Sequence, residues 1–246
     1  MPPRLRADRL LVERGLFESR ARAQAAIAAG LVTANAAPVS KASDEIPVDA
    51  VLRAKPAYRW VSRGGVKLSA ALDALNIDVK DRVCLDVGAS TGGFTEVLLK
   101  RGAEKVYAVD VGHGQLHASL RDNPRVVSFE GCDARSLNRT LIPEPVAAIV
   151  ADVSFISLTK ALSPALALAK AGAWLVALIK PQFEVGRGGV GKGGIVREAA
   201  ARQRAVDTVT AWLSAQDGWR IAGVVPSPIK GGSGNEEYLL GARCDG

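Results

Sequence analysis

Seven short apolar runs, separated by helix-like stretches, constrain most of what this chain can become. They are Val83 to Val87, Val106 to Val111, Val126 to Phe129, Ala147 to Ala151, Trp174 to Ile179, Ile221 to Val225 and Tyr238 to Ala242. Short runs of this kind, rich in Val, Ile and Leu, read as strands buried on both faces of a sheet. Strands joined through helices run parallel, because a parallel return needs a crossover. Only a turn-like stretch, 226–235, separates the last two runs, so the final strand is expected to be antiparallel. The fold class is therefore α/β: a Rossmann-like, mainly parallel seven-stranded sheet with an antiparallel last strand, spanning 66–246.

The first quarter has a different pattern. Asp8 to Gly15 reads as a short helix with Leu10 and Leu11 inward. Ser19 is a candidate N-cap for a second helix, which Gly30 ends. Leu31 to Thr33 and Glu45 to Leu52 read as short strands around a turn at Asn35 to Pro38. The expectation is a small α+β domain over 1–57 with a thin core. A linker follows over 58–65, Tyr-Arg-Trp-Val-Ser-Arg-Gly-Gly.

Charge separates the two parts. The chain carries +7, and residues 1–64 hold 11 Lys/Arg against 6 Asp/Glu. A basic excess in a small module is either the footprint of a polyanion-binding surface or a solvated face, and charge alone does not decide. On the first reading, Arg4, Arg6, Arg20, Arg22 and Lys41 are candidate RNA phosphate contacts, with Arg59 and Arg63 continuing the track toward the large domain.

Several classes are excluded. Hydrophobic residues make up 48 % of the chain, which argues against disorder. Cys84, Cys132 and Cys244 are odd in number and unpaired in spacing, so neither a disulfide framework nor a metal site is expected. Cys84, inside an apolar run, reads as a buried thiol. His113 and His117 are four apart without a third ligand nearby, and no metal is assigned to them. The N-terminus lacks a signal peptide's apolar stretch. The most membrane-like segment, 161–179, contains Pro164, Lys170 and Gly172 and reads as helix, turn and strand. A cytoplasmic protein without a membrane partner is expected, acting as a monomer.

The strongest local motif is Asp86-Val-Gly-Ala-Ser-Thr-Gly-Gly-Phe-Thr95, which follows the first strand and opens a helix. Its glycines permit a tight turn and close approach to a ligand. Ala89 and Ser90 break the dinucleotide fingerprint. A purely structural strand-to-helix turn is the alternative. Asp110 ends the second strand, Asp133 follows the third and Asp152 ends the fourth, so the acids gather at successive carboxyl ends of parallel strands. The candidate cofactor residues are Asp86, Gly88, Ala89, Ser90, Thr91, Gly92, Gly93, Phe94, Asp110, Asp133 and Asp152. Lys180 ends the fifth strand, where a charge is costly unless used or paired. Lys67 enters the first helix of the large domain, and Glu236 and Glu237 begin the last strand.

Residues 83–95 resemble the first motif of S-adenosylmethionine-dependent methyltransferases. Together with Asp-Val-Ser-Phe-Ile-Ser, Ile-Lys-Pro-Gln-Phe-Glu and Gly-Asn-x-Glu-Tyr, they resemble the TlyA (haemolysin A) family of FtsJ-like ribose methyltransferases. Leu-Val-Glu-Arg-Gly-Leu-Phe-Glu-Ser-Arg resembles the RNA-binding domain first seen in ribosomal protein S-four. The resemblance implies a class I methyltransferase using S-adenosylmethionine, with ribosomal RNA or a ribosomal subunit as partner. It implies 2′-O-methylation of a cytidine, more on the large subunit than the small. It also carries a catalytic tetrad onto Lys67, Asp152, Lys180 and Glu237, with Glu236 as runner-up. Asp110 would then meet the cofactor's ribose and Asp133 its adenine. Lys180 would be the base, activated by mutual repulsion between two lysines. Asn35-Ala36-Ala37 stands where relatives have Asn-Gly, which bears on the details of that turn. A small-molecule methyltransferase, a non-catalytic ribosome-assembly factor and a membrane-lytic haemolysin are the rival readings.

Overall fold

The computed structural model describes residues 2–245. Two units divide at Arg59/Trp60. The first holds β1 (Arg4–Arg6), α1 (Ala7–Glu13), α2 (Arg20–Ala28), β2 (Val32–Ala34), β3 (Ala37–Pro38), β4 (Glu45–Pro47) and β5 (Leu52–Ala54). Ser19 caps α2, its side chain accepting from the Arg22 amide. Leu10, Leu11, Phe17, Ala23, Ile27 and Val32 build the core beneath these short elements.

Two expectations change here. The Glu45–Leu52 run is not one strand: β4 pairs with β1, and β5 pairs with β2. Pro47 supplies no amide to extend the ladder, and the Ala50 amide turns back onto its carbonyl. The β2 strand begins one residue later than expected, because burying Val32 and Ala34 leaves Leu31 exposed. Asn35 and Ala36 are the two central residues of the β2–β3 hairpin, with φ of 48° and 66°.

The second unit holds α3 (Gly64–Ala74), β6 (Val83–Val87), α4 (Gly93–Lys100), β7 (Lys105–Val109), α5 (Ala118–Arg121), β8 (Val126–Phe129), β9 (Val146–Ala151), α6 (Leu158–Ala161), α7 (Ser163–Leu166), β10 (Ala169–Ile179), α8 (Pro181–Glu184), α9 (Ala199–Ser214), β11 (Trp219–Pro226) and β12 (Tyr238–Cys244). One seven-stranded sheet runs β11-β12-β10-β9-β6-β7-β8. Parallel pairing joins β10, β9, β6, β7 and β8, while β12 is antiparallel to both β10 and β11. Alternation within each strand explains the two layers. Leu85, Ile149, Leu175 and Ala177 pack with Leu158 and Ala161 of α6 and Val209 and Leu213 of α9. Their neighbours Cys84, Ala148, Val150 and Val176 pack with Leu68, Leu72, Val97 and Leu98 of α3 and α4.

The expected linker is shorter than 58–65. Trp60 is buried in the second unit's core and α3 already starts at Gly64, because a large apolar ring gains from burial even beside a domain boundary. Burial pushes the Cys84 thiol up to about 12, consistent with an inert core cysteine. The 161–179 segment completes α6, forms α7 and enters β10. Among the described residues, no helix is long and apolar enough to cross a membrane.

Candidate active site

The carboxyl ends of β6, β7, β9 and β10 meet around the glycine loop. Gly88 follows β6 with φ of 85°, and a Cβ there would lie 2.6 Å from the Asp152 carbonyl oxygen. Only glycine lets the loops after β6 and β9 touch. Ser90, also left-handed at φ 47°, donates its amide to Asp110 Oδ2 at 2.8 Å. The Gly112 amide donates to Asp110 Oδ1 at 2.7 Å, so Asp110 ties two loops together. Asp86 is fully buried and accepts from Thr95 Oγ1 at 2.6 Å. Burial, reinforced by the charges of Asp152 and Asp110, pushes its carboxyl up to about 7 against the Thr95 hydrogen bond.

Two adjoining cavities open at this edge. The larger, of about 1010 Å³, is lined by Gly88, Ser90, Asp110, Gln115, Asp133 and Asp152 among others. Its carboxylates and amide group suit a ligand with cationic, hydroxyl and amino groups. The smaller, of about 400 Å³, is lined by Arg63, Lys67, Ala89, Thr91, Gly93, Phe94, Lys180 and Glu237 among others. Gly88, Ser90, Asp152, Ser154, Phe155, Gln182 and Phe183 line both. The candidate cofactor residues thus divide. Ala89, Thr91, Gly93 and Phe94 face the smaller cavity, while Asp86 and Gly92 line neither. Asp133 lines the larger one, with its carboxylate held by Arg135 at 2.6 Å. Hydrogen bonds from the Arg135 side chain and amide draw Asp133 down to about 2.

The four tetrad candidates form two ion pairs. Lys67 Nζ lies 2.5 Å from Glu237 Oε2, with side chains only 7 % and 3 % exposed. Lys180 Nζ lies 2.5 Å from Asp152 Oδ1 and donates to Ser154 Oγ at 2.8 Å. Each lysine is thus engaged by a carboxylate, an arrangement that mutual repulsion between lysines did not anticipate. Glu236 turns away from this cluster and pairs with Arg202 at 3.1 Å. The two glutamates lie just ahead of β12, in a segment that is not itself strand, and take different partners there.

Sequence reasoning passed over three residues. Phe155 is 91 % exposed at φ 65°, a strained conformation for an aromatic residue, and its ring tilts against Phe183 at 5.2 Å. Only its place in Asp-Val-Ser-Phe pointed to it. Ser154 is Lys180's second partner. Asn235, nearly fully buried, accepts from the Val196 amide and donates to the Gly194 carbonyl, each through its side chain. It thereby pins the end of the glycine-rich 186–194 segment beside Glu237.

The candidate RNA contacts occupy varied settings. Arg4 donates to the Glu45 carbonyl, and Arg6 and Arg20 both hold Asp8. Arg22 sits over the Tyr58 ring at 5.6 Å. Lys41 and Arg59 are exposed, and Arg63 lines the smaller cavity. His117 caps α5, accepting from the Ser119 amide. Among the described residues, no group of three or more His, Cys, Asp or Glu is placed to hold a metal.

Residues 60–244 match the family model for FtsJ-like methyltransferases. The 16S/23S rRNA (cytidine-2'-O)-methyltransferase TlyA of Mycobacterium tuberculosis is 48 % identical, over 99 % of this chain and 91 % of its own length. The chain is a TlyA-type member of the FtsJ-like methyltransferase family. Hemolysin A of Brachyspira hyodysenteriae is 42 % identical over 96 % of this chain and 98 % of its own. A solved structure from Streptococcus thermophilus, described as a candidate hemolysin, is 40 % identical with a TM-score of 0.77, covering 99 % of this chain and 90 % of that one. The FtsJ-like match coincides with the second unit, and likeness to the TlyA relatives extends across the first as well.

Proposed function

We propose that this protein transfers a methyl group from S-adenosylmethionine to the 2′-hydroxyl of a cytidine in ribosomal RNA. The observation that carries this reading is the shared wall of the two cavities. A cofactor-sized space edged by strand-end acids opens beside a smaller one holding two lysines and two acids. Gly88, Asp152, Ser154 and Phe155 belong to both. The geometry suits a two-substrate transfer, in which positioning supplies much of the rate.

S-adenosylmethionine, when bound, supplies an electrophilic methyl on a sulfonium. Its fit rests on the acids of the larger cavity and on the close approach of the Gly88 and Asp152 loops at its wall, which a Cβ at Gly88 would force apart. Asp110 and Ser90 would hold the ribose side, and Asp133 the adenine side. In the smaller cavity Lys180, in its neutral amine form, takes the proton from the attacking hydroxyl, and Asp152 and Ser154 then hold the ammonium that results. Glu237 fixes Lys67, which orients the hydroxyl. The exposed face of Phe155 gives an unstacked base a surface to lie on, and its strained backbone fits a functional rather than a packing role. The small unit, read as an S-four-type RNA-binding domain over 1–57, supplies phosphate contacts and recognises RNA shape.

The relative from M. tuberculosis is named for both ribosomal subunits, so large and small subunits are both tested as substrates. Labelled-methyl transfer to each is compared for wild type and Lys180→Ala. The variant should still bind S-adenosylmethionine and lose at least about 100-fold in transfer rate, within the usual range for a general base. Near-normal transfer by Lys180→Ala would remove Lys180 as the base.

A further inference from the structure

The small unit contains a carboxylate that no step above uses. Asp8, in the first turn of α1, is fully buried. Arg6 donates to it through Nε at 3.1 Å and Nη2 at 3.2 Å. Arg20 donates through Nε at 3.2 Å and Nη2 at 2.8 Å. Gln24 adds a fifth contact at 2.7 Å. Burial alone would raise this carboxyl, but the hydrogen bonds from Arg6, Gln24 and Arg20 outweigh it and hold Asp8 well below the usual carboxylate range. The two arginine side chains it grips are themselves about half-exposed, at 46 % and 57 %.

We propose that Asp8 is a positioning residue for RNA, holding Arg6 and Arg20 as a rigid pair of guanidiniums that grips the phosphate backbone. The proposal rests on the reading of the small unit as an RNA-binding domain. Each arginine turns its Nε–Nη2 edge inward to Asp8, and Asp8 makes no use of either Nη1. A guanidinium carries five N–H donors in a fixed fork, so the unused donors remain for phosphate oxygens. Flexible arginines must be ordered when they bind a phosphate, at the expense of affinity. Here that ordering is built into the fold. One buried anion between two cations still leaves the face net positive, and it fixes their spacing.

The direction of the mutational effect separates this role from simple electrostatics. Removing a negative charge beside two phosphate-binding arginines should tighten RNA binding if charge alone mattered. Positioning predicts the opposite. Binding of the full chain to purified ribosomal subunits is measured at fixed salt for Asp8→Asn, Asp8→Ala, the double variant Arg6→Ala/Arg20→Ala, and that double variant combined with Asp8→Asn. Circular dichroism and melting of each variant check folding.

The expected result is about tenfold weaker binding for Asp8→Asn, and no further loss when it is added to the double arginine variant, where nothing remains to position. Wild-type or tighter binding by a folded Asp8→Asn overturns the proposal. So does an equal loss in the arginine-free background, which marks Asp8 as merely structural and also covers a variant weakened by misfolding. If the double arginine variant itself binds like wild type, the RNA role of this face fails, and the proposal fails with it for that separate reason.

Discussion

Replacing Glu237 with Ala strands Lys67 in the interior. The two side chains are 7 % and 3 % exposed and their charges lie 2.5 Å apart. Breaking a buried pair by removing one partner costs about 3–5 kcal/mol, because the remaining charge keeps its desolvation penalty and loses its compensation. For a unit of this size each kcal/mol shifts the midpoint by about 2–4 °C, so Glu237→Ala should melt roughly 10 °C below wild type. Replacing both partners by apolar residues of similar volume, Lys67→Met with Glu237→Leu, removes the charges together and should recover most of that loss. Methyl transfer should be lost in the single and double variants alike. Thermal melting combined with labelled-methyl transfer reads both effects. The reasoning is refuted if Glu237→Ala melts within about 2 °C of wild type, or if the restabilised double variant regains transfer.

Three further perturbations test separate features. Asp86 keeps its proton in the native state up to about pH 7, while an unfolded aspartate gives it up near pH 4. Stability should therefore fall as pH rises from about 4 to 7 and stay low above that. Asp86→Asn should melt higher than wild type at pH 8, and the gap should close toward pH 4; a constant gap would contradict the burial argument. Ala36 sits at φ 66°, where an L-residue is strained by about 1–2 kcal/mol and glycine is not, although glycine costs unfolded-state entropy. Ala36→Gly should stabilise the small unit by about 0.5–1 kcal/mol in denaturant melts, and destabilisation would show that the turn is held in some other way. Phe155→Ala removes a solvated ring, so melting should hold within about 1 °C while transfer falls at least about tenfold; unchanged transfer would deny it contact with RNA.

Much of the second unit was legible because its signals are periodic. Apolar runs at successive strand positions gave the sheet, and the short 226–235 connection gave the antiparallel β12. Acids at strand ends gave the rim of the larger cavity. What escaped depends on side-chain direction and long-range pairing. The Gly-Asn-x-Glu resemblance pointed to Glu237 over Glu236, but not to their partners: in the segment just before β12 one meets Arg202 and the other Lys67, 170 positions earlier in the chain. The partition of the glycine motif between two cavities depends on how the loop curls after Gly88, which the order of residues does not encode locally. In the small unit, Arg6 and Arg20 read as candidate phosphate contacts. Their common anchor, Asp8, carries no local signal, because its burial follows from packing between α1 and α2.

The most direct test of the account is the chemical identity of the methylated product. Purified large and small ribosomal subunits are incubated with the protein and labelled S-adenosylmethionine, and the RNA is digested to nucleosides and mapped. The account predicts label as 2′-O-methylcytidine at a defined position in at least one subunit's RNA. Label on a base, or no label in RNA from either subunit, would contradict it.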